Sequence, residues 1–131
     1  MLTVINISTQ EFETMASDAI DSLPKQYIDN MNNVAIIIEE DPTDEQKTRM
    51  HVLDNQLLYG LYEGIPLIAR NNAYNLVPPD KITIFKNPIC QNSTDIENLK
   101  EQIKRTIWHE IAHHYGLNHE QMDKLQNHKS K

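Results

Sequence analysis

The clearest apolar pattern lies toward the C-terminal end of the chain. Ile96, Leu99, Ile103, Ile107 and Ile111 recur at helical spacing, while Asn98, Glu101 and Arg105 fall away from that stripe. Thr94 followed by Glu97 has the form of a capping box and predicts the helix start. In the last two turns Trp108, Ala112 and Tyr115 add apolar groups on the other side, so burial is expected almost all round. A second amphipathic helix is predicted near the N-terminus. Ser8 and Glu11 form its capping box, Phe12, Met15, Ala16, Ala19, Ile20 and Leu23 its apolar face, and Pro24 its stop. A short helical turn carrying Tyr27, Ile28 and Met31 follows, broken by Asn32 and Asn33.

Strand signals are fewer. Residues 34–38 are a β-branched apolar run, which predicts a strand covered on both faces. Residues 81–86 alternate and predict a second strand, closed by Asn87 and Pro88. Between them, Met50, Leu53 and Leu57 keep helical spacing, consistent with helix in part of residues 43–58. Residues 57–67 mix aromatics with Gly60, Gly64 and Pro66 and have no single period, which reads as a packed loop. Residues 71–80 are turn-rich, and Glu120, Met122 and Leu125 suggest a short terminal helix before a frayed end. The order of elements predicts an α+β fold: a small sheet packed against an N-terminal helix and a long C-terminal helix.

Composition narrows the function. At 131 residues, with 39% hydrophobic and 24% charged residues, the chain reads as one ordinary globular domain over 1–131. A formal net charge of −7 argues against nucleic acid or an anionic membrane as partner. The single Cys90 excludes an intramolecular disulfide and reads as a small apolar residue. No basic leader with an apolar core is visible, and no run approaches the roughly 18–20 apolar residues of a membrane span. A cytoplasmic monomer is the default expectation.

The chemistry sits on the long helix. His109-Glu110-x-x-His113 places two imidazoles one turn apart, about 40° around the helix axis, where both can reach one ion. Glu110 is rotated aside, able to touch a water on that ion without being a ligand. Gly116 can leave helical backbone angles at little cost, letting the chain turn and offer His119 as third ligand. Three protein ligands and one open position describe a catalytic Zn2+ site, although Ni2+ or Co2+ would also fit three imidazoles. A bare motif of this kind arises by chance in roughly one chain in a few hundred, and the added Gly and His lower that by a further several hundred or so. Two imidazoles amid such apolar surroundings are costly unless hydrogen-bonded or metal-bound, which argues against incidental surface histidines. His114 projects onto the apolar stripe and is expected to be a hydrogen-bonded core histidine. His51 and His128 carry no spacing signal.

Residues 109–119 resemble the extended zinc motif of the zincin metallopeptidases, in the form found in metzincins. The short chain is similar to the minimal bacterial "possible zinc metallopeptidase" family, whose plan is an N-terminal helix, a strand, a loop like residues 58–67, a strand like residues 82–85 and the zinc helix. In that family the third-ligand position is often Asp, whereas here it is His119. Metzincins also carry a methionine turn below the zinc, and no such turn is assigned to Met122. The resemblance implies a zincin-like minimal domain that hydrolyses peptide bonds.

The leading expectation is therefore a zinc metallopeptidase acting on a peptide or protein substrate. His109, His113 and His119 hold the metal, and Glu110 is the general base. Tyr59, Tyr62 and Tyr115 are candidates to steady the oxyanion. An edge strand over residues 82–85 is expected to align an extended substrate. The alternative is a zinc-bound, non-catalytic binding or regulatory module on the same scaffold. A small RNA-cleaving metalloenzyme is disfavoured by the negative charge and by the Glu at position 110.

Overall fold

Ser8 caps the first helix, α1 (Thr9–Asp21), as its spacing predicts. Its hydroxyl accepts from the Glu11 amide at 3.0 Å, and the Glu11 carboxylate accepts from the Ser8 amide at 3.3 Å. Phe12, Ala16, Ala19 and Leu23 are buried, with Met15 and Ile20 half-buried beside them. A short α2 (Lys25–Asp29) follows Pro24 and brings Tyr27 and Ile28 to the core. This computed structural model describes residues 5–29, 31, 34–53, 56–64 and 80–116.

The described strands are β1 (Val34–Glu39), β2 (Gly60–Glu63) and β3 (Asp80–Phe85), in the sheet order β1-β3-β2. β1 runs parallel to β3 and β2 antiparallel to it. The central strand is thus β3, with Ile82, Ile84 and Phe85 fully buried. Residues 82–85 are not an edge, which corrects the expectation that they receive a substrate strand. Among the described residues β1 and β2 are the two edges instead, and β1 is half-buried at every position rather than covered on both faces. An apolar β-branched run signals a strand but not its place in the sheet, because the neighbour that covers it comes from elsewhere in the chain.

Two further segments depart from their sequence patterns. Thr43 and Gln46 form a capping box, with bonds of 3.1 and 2.8 Å, for the short α3 (Asp44–Arg49). This helix ends at Met50, and His51 adopts the left-handed φ of 57°. Met50, Leu53 and Leu57 therefore share no helix face and are exposed. The segment read as a packed loop contains β2, whose Glu63 pairs with Arg49 at 2.8 Å and so ties α3 to the sheet. Residues 65–79 lie outside the described residues, and with them the turn-rich stretch except Asp80, which begins β3.

β3 runs directly into α4 (Lys86–Gln91), a helix where Asn87 and Pro88 suggest a turn. Pro88 falls in its first turn, where a missing amide hydrogen costs nothing. Ile89 and Cys90 are buried there, and desolvation raises the Cys90 thiol pKa while nearby Lys86 acts to lower it.

The long α5 (Ile96–Tyr115) follows. Its cap is Asp95 rather than Thr94: the Asp95 carboxylate accepts from the Asn98 amide at 2.7 Å, and the Asn98 side chain accepts from the Thr94 amide at 2.9 Å. The predicted Thr94–Glu97 box is thus replaced by a cap at Asp95, with Asn98 holding the Thr94 amide. Leu99, Ile103, Ile107 and Ile111 are fully buried, whereas Ile96 stays exposed. α5 packs against α1, α4, β2 and β3. Burial of each such side chain contributes about 1.5–3 kcal/mol, so the stripe pins α5 firmly to the sheet. Among the described residues no helix is long and apolar enough to cross a membrane.

Candidate metal centre

The same stripe sets the direction in which the motif points. With Ile107 and Ile111 turned into the core, His109 and His113 are left half-exposed on one flank of α5. Their ring centroids are 4.5 Å apart, inclined at 66°. Glu110 lies between them and is only 6% exposed. One ligand atom from each of His109, Glu110 and His113 falls within 4.8 Å of the others. Two imidazoles so placed, with a carboxylate beside them, match the donor set that zinc takes and fit a shared ion.

Glu110 Oε1 stands 3.3 Å from His113 Nδ1. That hydrogen bond raises the His113 pKa above its ordinary value; desolvation opposes the rise and the Glu110 charge adds to it. Beyond His113 the helix stops at Gly116, whose left-handed φ of 74° lets its amide donate to the carbonyls of Ala112 and His113. The turn occurs where the motif requires one. His119, the expected third ligand, lies outside the described residues, as does His128.

The histidines open on a cleft of about 530 Å³ whose lining includes Tyr59, Gly60 and Thr106 along with His109, Glu110 and His113. Gly60 is required by packing. A Cβ there would stand 2.9 Å from Thr106 Cγ2 and 3.1 Å from Glu110 Cγ. β2 can approach α5 this closely only without a side chain at that position.

Of the three candidate tyrosines, Tyr59 lines the cleft. The Tyr62 hydroxyl donates to Asp80 Oδ2 at 2.6 Å, and the Tyr115 hydroxyl donates to the Tyr27 carbonyl. Tyr27 also packs edge-on against Trp108 and Tyr115, both at 5.3 Å, so α2 braces the last turns of α5. Burial, then the neighbouring Tyr27, raises the Tyr115 hydroxyl pKa.

His114 is a hydrogen-bonded core residue, as its projection predicts. It is fully buried, and its Nδ1 lies 3.0 Å from Asp80 Oδ2. Asp80, itself 1% exposed, is the partner that the sequence left unnamed. The available signal was indirect: a histidine on an apolar stripe needs a buried polar partner from another element. Gly64 makes room for this carboxylate, since a Cβ there would sit 2.4 Å from Asp80 Cγ.

The comparisons agree with this geometry. The family model for zincin-like metallopeptidases matches residues 31–129. A solved structure of a conserved hypothetical protein from Thermus thermophilus is similar in fold, with a TM-score of 0.57 and 13% sequence identity. The match covers 83% of this chain and 94% of that one. None of the curated proteins matches. With more than half of its length matched, the chain belongs to the zincin-like metallopeptidase family.

Proposed function

We propose that this protein is a zinc-dependent hydrolase of peptide bonds, with His109, His113 and His119 as metal ligands and Glu110 as general base. The observation that carries the reading is the His109–Glu110–His113 cluster facing an open cleft from the end of a buried helix. Zn2+ held there would polarise the scissile carbonyl and bring the pKa of a bound water toward about 7. The chain's own residues do the rest. The neutral imidazoles supply lone pairs, and packing of Ile107 and Ile111 holds them in place. The Glu110 carboxylate takes the proton of the attacking water and delivers it to the leaving amine. Tyr59, which of the three candidate tyrosines lines the cleft, is the one we assign to donate to the developing oxyanion.

An extended substrate would be aligned by β2 rather than β3. Among the described residues β2 is paired on one side only, by β3, and Gly60 at its start lines the cleft. Backbone pairing along its other edge would lay a peptide across the histidines.

The test is hydrolysis of a mixed peptide library by the zinc-loaded protein and its Glu110→Gln variant. The variant should retain zinc and lose roughly 10²–10⁴-fold in rate, the usual worth of a general base. Unchanged hydrolysis would remove Glu110 from that role. Zinc binding without hydrolysis by the wild type would favour the non-catalytic binding module.

A further inference from the structure

Steps of four residues along α5 lay two rows beside the cleft: Gln102, Thr106 and Glu110 in one, Arg105, His109 and His113 in the other. The C-terminal ends of these rows carry the His109–Glu110–His113 cluster, and the N-terminal ends carry Gln102 and Arg105. Among the described residues that line the cleft, Arg105 is the only Lys or Arg, on a chain whose net charge is −7. Its guanidinium is loosely held. Nη2 stands 3.8 Å from Glu101 Oε1, beyond hydrogen-bond reach, and both side chains are more than half exposed. An exposed pair of that kind contributes little and yields to a better-placed acceptor. Asn92, the residue that ends α4, lines the cleft with Gln102, so two side-chain amides can add N–H donors beside the guanidinium.

We infer that the Arg105 end of the cleft is a carboxylate subsite, which anchors a free C-terminus or an acidic side chain of the substrate. The inference rests on the peptidase reading and names its substrate class. The planar guanidinium offers two parallel N–H donors that match the two oxygens of a carboxylate. Along the helix axis Arg105 precedes the two histidines by about 6 and 12 Å, on the order of two to three residues of extended peptide. A carboxylate bound there would draw Arg105 off Glu101 and fix how far the chain runs before a peptide bond meets the metal site. An amide or a neutral side chain would leave the guanidinium on its weak partner. The same helix thus carries the chemistry at one end of the cleft and the measure of substrate register at the other.

The test uses zinc-loaded Glu110→Gln protein, in which binding is read by fluorescence anisotropy without turnover. The probes are N-terminally labelled hexapeptides of one neutral sequence in four forms: free C-terminal acid, C-terminal amide, and the amide with a central Glu or a central Gln. At least one carboxylate form should bind roughly 10- to 100-fold more tightly than its neutral counterpart, the worth of hydrogen bonds to a charged group. Preference for the acid alone assigns the subsite to a C-terminus, and preference for the Glu peptide assigns it to an acidic side chain. Arg105→Gln should abolish the preference at unchanged zinc content, and Arg105→Lys should restore only part of it. Lys104→Gln makes the same change of charge on the flank of α5 that faces α1, outside the cleft, and should keep the preference. Equal binding of all four peptides, no binding, or a preference that survives Arg105→Gln would overturn the subsite. Arg105-dependent binding with no cleavage by the wild type would leave the subsite standing and sink the peptidase reading. Cleavage by the wild type without carboxylate preference would do the reverse.

Discussion

Asp80, the first residue of the central strand, holds His114 of α5 through a 3.0 Å contact between Oδ2 and Nδ1. The same oxygen takes the Tyr62 hydroxyl at 2.6 Å, so one buried carboxylate links β2, β3 and α5. His114 is the direct neighbour of His113, and this contact therefore fixes the turn from which the candidate ligand projects.

Asp80→Ala should destabilise the protein by about 1–3 kcal/mol, because the buried His114 loses this partner and the half-buried Tyr62 loses it as well. Urea denaturation of the metal-free protein measures it directly. An unchanged midpoint would show that the carboxylate contributes nothing to the join between sheet and helix.

Gly60→Ala should cost about 1–3 kcal/mol, the usual penalty of overpacking a tight contact. The new methyl would press on Thr106 and Glu110, the nearest atoms to that position. Activity should fall further than stability alone explains, since Glu110 must shift while the histidines keep their places. A variant with wild-type melting temperature and rate would contradict the close approach.

The pair Glu110–His113 predicts opposite pH trends with and without metal. The His113 pKa is raised in the fold, chiefly by its hydrogen bond to Glu110. A raised pKa gives stability that is fully present below the unfolded histidine value, about 6.5, and is lost as pH rises through the folded value. Metal-free protein should therefore lose this contribution as pH rises above the unfolded histidine value of about 6.5, and Glu110→Gln should flatten the slope. Zinc affinity should run the other way and weaken as pH falls through the same window, because the ligands must be neutral. Denaturation in chelator and zinc titration at pH 6 and 8 read the two trends separately.

Much of this arrangement was legible from residue spacing. The stripe from Leu99 to Ile111 predicted both the helix and the flank on which His109 and His113 emerge. The Gly at position 116 predicted the turn that ends it, and the projection of His114 predicted its burial. What spacing could not carry were relations between distant segments. The rank of β3 as central strand depends on which strands pair with it, and Asp80 gains its importance only from His114, 34 residues away. Gly60 and Gly64 looked like loop residues because their need for glycine comes from neighbours across the fold, not from their own backbone alone. Met50 and Leu57 mimicked a helix face, yet their spacing reflects a wall of the cleft.

Metal content of the purified protein, measured beside its His113→Ala variant, tests the central claim most directly. About one zinc per chain in the wild type, lost in the variant while the fold is retained, is the expected result. No zinc in either, and none taken up when it is added, would contradict the metal centre and return His109 and His113 to a structural role.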